Sequence, residues 1–226
     1  WGDLLDPVYL AITSAKIEYF SKAAHAAASP WNGRNALDAV VLAYNGISLL
    51  RQQSQINNRI IMFITNGGKV VNGSAITFLS IEPDHRVENC LKSAADATGC
   101  TYKTEWDKGC CEVIVNKKLA KNFMRHMEDR GVVYPPTGTF PPGGSTDQGN
   151  VSYEVPSIHA LCNIGTTHII HTPEFAIEAE KVEAHHRTLC AATCLALTAS
   201  DVLVDDQLYR DVVEEFNANV KKTKQK

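Results

Sequence analysis

The sequence is poor in the features that would assign a protein quickly. Its 226 residues carry 22 lysines and arginines against 25 aspartates and glutamates, a formal charge of −3. That balance excludes a general attraction to nucleic acid. The lysines at 221, 222, 224 and 226 read as a solvated terminus rather than a binding arm. No uninterrupted apolar run reaches the roughly 18 residues of a membrane span, and no charged-then-apolar leader opens the chain, so no membrane partner is expected. The seven cysteines (Cys90, Cys100, Cys110, Cys111, Cys162, Cys190, Cys194) are odd in number and irregularly spaced, which excludes a disulfide framework and favours a reducing, cytoplasmic location. There is no internal repeat and no low-complexity segment. The strands lack an aromatic stacking pattern and there is no basic stripe, so single-stranded nucleic acid is not an expected partner.

What is present is an ordinary globular composition, 44% apolar and 21% charged, long enough for a core that stands without disulfides. The chain opens on Trp1 in a loop-like phrase and reads as a piece of something longer. Its first half predicts strand-helix-strand-strand-helix-strand. Strands are expected over 12–20, 59–65, 75–81 and 110–116. One helix is expected from Asn35 to Gln53, on the spacing of Leu37, Val40, Val41, Tyr44, Ile47 and Leu50. A second runs through Val87, Leu91, Ala94 and Ala95 and stops at Gly99. This is the ferredoxin-like plan, an antiparallel sheet with both helices on one face.

From Lys117 the style changes. A polar helix (about 119–129) leads into a loop rich in proline and glycine (134–144). Ser157 to Asn163 reads as a buried strand. His171-Thr172-Pro173-Glu174-Phe175 opens a long helix, with Thr172 suited to the N-cap and Pro173 to the first turn. Phe175, Ala179, Val182, Leu189, Ala192 and Ala199 mark its inward side. The expected domains are residues 1–11, 12–116 and 117–226, an α/β chain overall.

Several side chains could carry chemistry. His25 stands among alanines in a turn fixed by Pro30 and Gly33, where small neighbours let a ligand approach the imidazole. Asp147 lies in a glycine-bracketed polar loop, where an Asx-turn is the ordinary explanation. Cys190 and Cys194 are one helical turn apart but have no further ligands at zinc spacing, so they read as packing residues. His159 and His168 read as structural. His185 and His186 point to adjacent faces of a helix and cannot chelate together. Glu214-Glu215, on an exposed-looking helix, is not assigned a role.

Three separated phrases then fall in order. They are Lys22-Ala23-Ala24-His25-Ala26-Ala27-Ala28 with Gly33-Arg34-Asn35-Ala36-Leu37-Asp38-Ala39, Gly144-Ser145-Thr146-Asp147-x-Gly149-Asn150-Val151-Ser152 with Val155-Pro156, and His171-Thr172-Pro173-Glu174-Phe175. Together they resemble the zinc amidohydrolases of the peptidase M-20 family, in the aminobenzoyl-glutamate hydrolase and β-alanyl-lysine (Xaa-Arg) dipeptidase branch. The resemblance implies a catalytic α/β domain interrupted by a ferredoxin-like lid that also makes a homodimer. It implies two metal ions, usually zinc, a glutamate base, and a small dipeptide or N-acyl amino acid as substrate. On it, His25 matches the lid histidine that reaches a partner subunit's active site and binds the substrate carbonyl oxygen. His171 matches the last metal ligand, while Asn72 and Asp147 match substrate-binding positions.

The departures from the family pattern are as informative. The earlier metal ligands and the base lie upstream of the lid in the family and have no counterpart here. One histidine cannot hold a catalytic metal, which takes about three protein ligands. The segment after Asn72 is short, and the arginine common at the end of that strand has no clear match. The chain alone is therefore expected to be inactive, as part of a dipeptidase or, alternatively, as a non-catalytic dimerisation module derived from one.

Overall fold

The structure is a computed structural model that describes residues 7–25, 27–54, 58–67, 75–81 (backbone path only), 85–134 and 144–223. These residues fall into two compact units, 11–110 and a second made of the chain before and after it.

In the first unit, β1 (Thr13–Phe20), β2 (Ile61–Asn66), β3 (Ala75–Ile81) and β4 (Thr101–Trp106) form one sheet in the order β2-β3-β1-β4. All its pairings are antiparallel. The helices α1 (Ala36–Leu50) and α2 (His85–Thr98) follow β1 and β3. Alternation along β1 sends Ala15, Ile17 and Tyr19 inward, as the period of two requires. They meet Ala36, Ala39, Val40, Ala43 and Ile47 of α1 and Val87, Leu91, Ala94 and Ala95 of α2 in one apolar cluster, so both helices cover the same face. The Tyr19 hydroxyl donates to the Leu91 carbonyl at 3.0 Å, which satisfies the polar end of the ring placed in that core.

Helix ends follow the sequence. Asn35 caps α1 by accepting from the Leu37 N–H at 3.1 Å, and its own amide donates to Asp38 at 2.8 Å. Gly99, at φ +66°, stops α2 in the left-handed conformation, and the next N–H, that of Cys100, bonds back to the Ala95 carbonyl at 3.0 Å.

The expected strand over 110–116 is a correction. The fourth strand is β4, ending at Trp106, and the later segment makes only isolated bridges, Ile12 with Cys110 and Val115 with Ser157. The segment Cys110 to Val115 is richer in apolar side chains than β4, but β1 already pairs with β3 and β4 along its length.

The second unit is helical. It comprises α3 (Lys117–Glu128), α4 (Gln148–Ser152), α5 (Pro173–Ala179), α6 (Val182–Val204) and α7 (Asp206–Thr223). Phe123, Met127, Tyr134, Ala191 and Cys194 form its core, with Cys190 packed against them. Cys190 and Cys194 are thus packing residues. The buried strand expected at Ser157 to Asn163 is not formed, since Ser157 makes one parallel bridge and the run is only half-buried beyond it. The long helix expected from His171 is two helices, α5 and α6. Its expected inward side is also overturned: Val182 and Leu189 are 72% and 51% exposed, while Ala184, Ala191, Cys194 and Thr198 are the buried residues of α6. α6 is 23 residues long and its most apolar 18-residue window has a mean hydropathy of 1.4, long and apolar enough by composition to cross a membrane, which the absence of an uninterrupted apolar run did not suggest.

Asn116 ties this unit together. Its side chain caps α3 by accepting from the Leu119 N–H at 3.1 Å and donates to the Val212 carbonyl of α7 at 2.9 Å. Glu215 accepts from the Lys118 N–H at 2.9 Å, an acidic side chain at the positive end of α3. One member of the Glu-Glu pair therefore has a structural role.

Candidate functional site

His25 sits in the turn between β1 and α1, exposed to solvent. Its Nδ1 accepts from the backbone N–H groups of Ala27 at 3.2 Å and Ala28 at 3.1 Å. The Ser29 N–H closes the turn on the His25 carbonyl at 2.9 Å. An imidazole nitrogen that accepts two N–H bonds carries no proton, so the neutral ring holds its proton on Nε2. The turn therefore presents a fixed N–H donor to solvent.

The second phrase is held mainly by its own polar residues. The Asn150 side chain accepts from the Cys111 N–H at 2.8 Å, and Ser152 Oγ accepts from the Ile114 N–H at 2.9 Å while donating to the Gly149 carbonyl at 2.6 Å. A Cβ on Gly149 would collide with the Cys111 carbonyl, so the strand-like segment 111–114 and α4 approach as closely as backbones can. These residues explain the phrase as architecture. Asp147 is different: it precedes α4 with no side-chain capping bond and stays exposed, and its carboxylate accepts from the Thr146 hydroxyl at 3.5 Å. The Asx-turn that its loop suggested is not formed.

Close by is His159. Its ring lies against that of Tyr9 with centroids 4.6 Å apart, and its Nδ1 is buried with no hydrogen-bond partner. Burial pushes its pKa down, and the charge of Asp147 works against that shift. The sequence reading classed His159 as structural and did not connect it with Asp147.

His171 takes a left-handed backbone conformation, φ +69°, the one non-glycine residue with positive φ among those described. Holding a side-chain-bearing residue there costs about 1–3 kcal/mol, a strain often found where a side chain must be aimed. The residues after it supply the mount. Thr172 accepts from the Phe175 N–H at 3.3 Å to start α5 and donates to the Ile169 carbonyl at 2.7 Å. His171 is itself exposed. Asn72 lies outside the described residues.

Among the described residues no three histidine, cysteine, aspartate or glutamate side chains are grouped so as to hold a metal ion. The residues present therefore do not by themselves fit a metal centre. The exposed rings of His185 and His186 are 6.0 Å apart and tilted, on neighbouring faces of α6.

Sequence reading also passed over a polar cluster that needs the fold to be seen. Buried His126 of α3 and Arg125 beside it both reach Asp201 Oδ2 of α6 at 2.7 Å. The residues are 75 positions apart in sequence, and no local spacing connects them.

No protein-family model matches the chain. It is 36% identical over 215 residues to the Xaa-Arg dipeptidase of Homo sapiens, covering 88% of this chain and 49% of the relative. It is 33% identical over 123 residues to a p-aminobenzoyl-glutamate hydrolase chain of Escherichia coli, covering 49% of this chain and 26% of that one. Among solved structures, an aminohydrolase from Staphylococcus aureus shares the fold over 88% of this chain and 55% of its own, with TM-score 0.62 at 12% identity. An aminobenzoyl-glutamate utilization protein from Klebsiella pneumoniae does so over 67% of this chain and 42% of its own, with TM-score 0.53 at 20% identity. The chain spans about half the length of the curated dipeptidases it matches. It belongs with the Xaa-Arg dipeptidase and aminobenzoyl-glutamate hydrolase relatives of the peptidase M-20 family.

Proposed function

We propose that the chain is the lid and the C-terminal part of the catalytic domain of a metal-dependent dipeptidase or amidohydrolase acting on a small dipeptide or N-acyl amino acid. The observation that carries this reading is the Nε2–H donor fixed on His25 by two backbone N–H groups. It lies in the first of the three phrases that resemble the family, in a chain 36% identical over 215 residues to a dipeptidase. A neutral N–H aimed at a scissile carbonyl stabilises the charge that grows on its oxygen when the amide is attacked. Reaching that carbonyl from a partner's lid requires the homodimer. In this reading His171 supplies one ligand of a metal centre completed by residues outside this chain, and Asp147 and Asn72 line the substrate. The metal, zinc by family resemblance, serves as Lewis acid in the complete enzyme.

The test joins this chain to the half of the human Xaa-Arg dipeptidase that the likeness leaves uncovered and assays β-alanyl-lysine with and without a chelator. Turnover that the chelator abolishes, and that His25→Ala lowers by about 100-fold in kcat/KM, is the expected result. Turnover indifferent to the chelator, or no turnover, sinks the proposal.

One observation favours a second reading, a non-catalytic dimerisation module: the absence of a metal-holding group among the described residues. Sedimentation of the chain alone then gives a dimer and the joined protein turns over no dipeptide. A monomer at high concentration overturns this reading.

A further inference from the structure

Trp31 is 73% exposed, more than any other tryptophan, tyrosine or phenylalanine among the described residues. No other described ring lies against it. Tryptophan is highly buried on average, because its large apolar ring gains much by leaving water. The exposure is not that of a loose tip, since the loop beneath the ring is pinned at several points. The Arg34 N–H bonds to the Lys22 carbonyl at 2.8 Å and closes its neck. The Gly33 N–H bonds to the Pro30 carbonyl at 3.0 Å in the short turn that carries the indole. A Cβ on Gly33 would lie 3.1 Å from the Ala24 Cβ, so the two arms of the loop touch.

The same loop carries His25. The Ser29 N–H bonds to the His25 carbonyl at 2.9 Å and the Asn32 N–H to the Ser29 carbonyl at 3.1 Å. Two hydrogen bonds in series thus tie the indole to the turn that holds the imidazole. Between Glu18 and Asp38 the sequence has no acidic residue. The electron-rich face of the indole is therefore the one side chain of the loop that attracts a cation.

We propose that Trp31 is a specificity-determining residue, its indole face stacking on the cationic side chain of a dipeptide whose amide is presented to His25. The inference rests on the reading of His25 as the donor to the substrate carbonyl. The name of the Xaa-Arg dipeptidase relative selects the guanidinium as the cation. A guanidinium is planar and weakly hydrated, so it gains from an aromatic face both by stacking and by its charge. Citrulline has nearly the same shape without the charge, which makes it the matched neutral control.

The experiment uses the chain joined to the uncovered half of the human Xaa-Arg dipeptidase. Binding of β-alanyl-arginine and of β-alanyl-citrulline is measured by calorimetry with a chelator present, so that nothing is turned over. Trp31→Ala should weaken the arginine dipeptide about 5-fold and the citrulline dipeptide less than about 2-fold. Trp31→Phe, which keeps a smaller aromatic face, should fall between wild type and Trp31→Ala for arginine. Because the ring is exposed, both variants should keep the thermal midpoint of the unaltered protein within error. Equal losses for the two dipeptides, or no loss for either, overturn the inference. So does a midpoint lowered by about 4 °C or more in both variants, which makes the ring a folding element. Absence of saturable binding of β-alanyl-arginine to the unaltered joined protein also overturns it. Selective binding that depends on Trp31 without any turnover keeps the inference and removes the enzymatic reading. Chelator-sensitive turnover with affinities indifferent to Trp31 does the reverse.

Discussion

The two units differ in how much of their apolar surface they manage to hide. Among the described residues, 11–110 gather fifteen buried apolar residues into one cluster beneath a four-stranded sheet, whereas the second unit's cluster holds five. In the first unit strand alternation, helix caps and the Tyr19 hydrogen bond all point to one core. In the second, many of the bonds that join elements are polar: Asn116 to Val212, Lys118 to Glu215, His126 to Asp201. A 23-residue apolar helix remains largely bare. The difference teaches that among the described residues the first stretch closes around one apolar core, while the second leaves much of its longest helix exposed.

The largest test of that contrast separates them. Residues 11–110 alone are expected to unfold cooperatively, with sigmoidal loss of helix signal by circular dichroism. Residues 111–226 alone are expected to melt gradually and to bind a hydrophobic dye. A sharp transition in the second fragment would remove the contrast altogether. Next in size is Ile17→Ala, at a fully buried site between sheet and helices. It should cost about 2–5 kcal/mol, read as a lower midpoint in urea. A cost below about 1 kcal/mol would mean the first core is looser than its burial implies.

How much of this was legible in the sequence follows the same division. β1, α1 and α2 could be read because each carries a single apolar face, with a helix start at Asn35 and a stop at Gly99. β4 escaped because Thr101–Trp106 is a mostly exposed edge strand containing lysine and glutamate, so its period-two signal is weak. In the second unit the apolar signals were real but misassigned. Ser157 to Asn163 reads as a strand and the exposed side of α6 reads as a core face, because an apolar pattern alone does not say which side a neighbour covers. The candidate site was legible as residue types: His25, Asp147 and His171 could be named. The tautomer of His25, the left-handed backbone of His171 and the proximity of His159 to Asp147 depend on contacts no spacing reveals.

A smaller effect probes the junction that packs segment 111–114 on α4. Gly149→Ala places a methyl group into the Cys111 carbonyl, and separating the two segments strains the bonds made by Asn150 and Ser152. A loss of about 1–3 kcal/mol is expected, seen as a lower midpoint with the first unit's spectrum unchanged. An unaltered midpoint would show that α4 can move freely.

The smallest expected effect sharpens the comparison most, because it isolates a polar tie in the region with the thin core. The hydrogen bond from His126 holds the Asp201 carboxyl below its ordinary value, assisted by Asn122 and by the charges of His126 and Arg125, against a smaller opposing effect of burial. A group whose folded pKa is depressed stabilises the fold above its unfolded value, about 3.9 for aspartate. That contribution is lost as pH falls through the lower folded value. Asp201→Asn keeps the shape but removes the charge, leaving buried His126 with a poorer partner at a cost of about 1 kcal/mol. The midpoint of wild type minus variant should shrink as pH falls below about 4. His126→Asn should give a similar gap, and the double variant should lose little more than either single one, since both remove the same bond between α3 and α6. A gap that persists unchanged to about pH 2.5 would assign the effect to packing, and the second unit would then resemble the first more closely than its buried residues suggest.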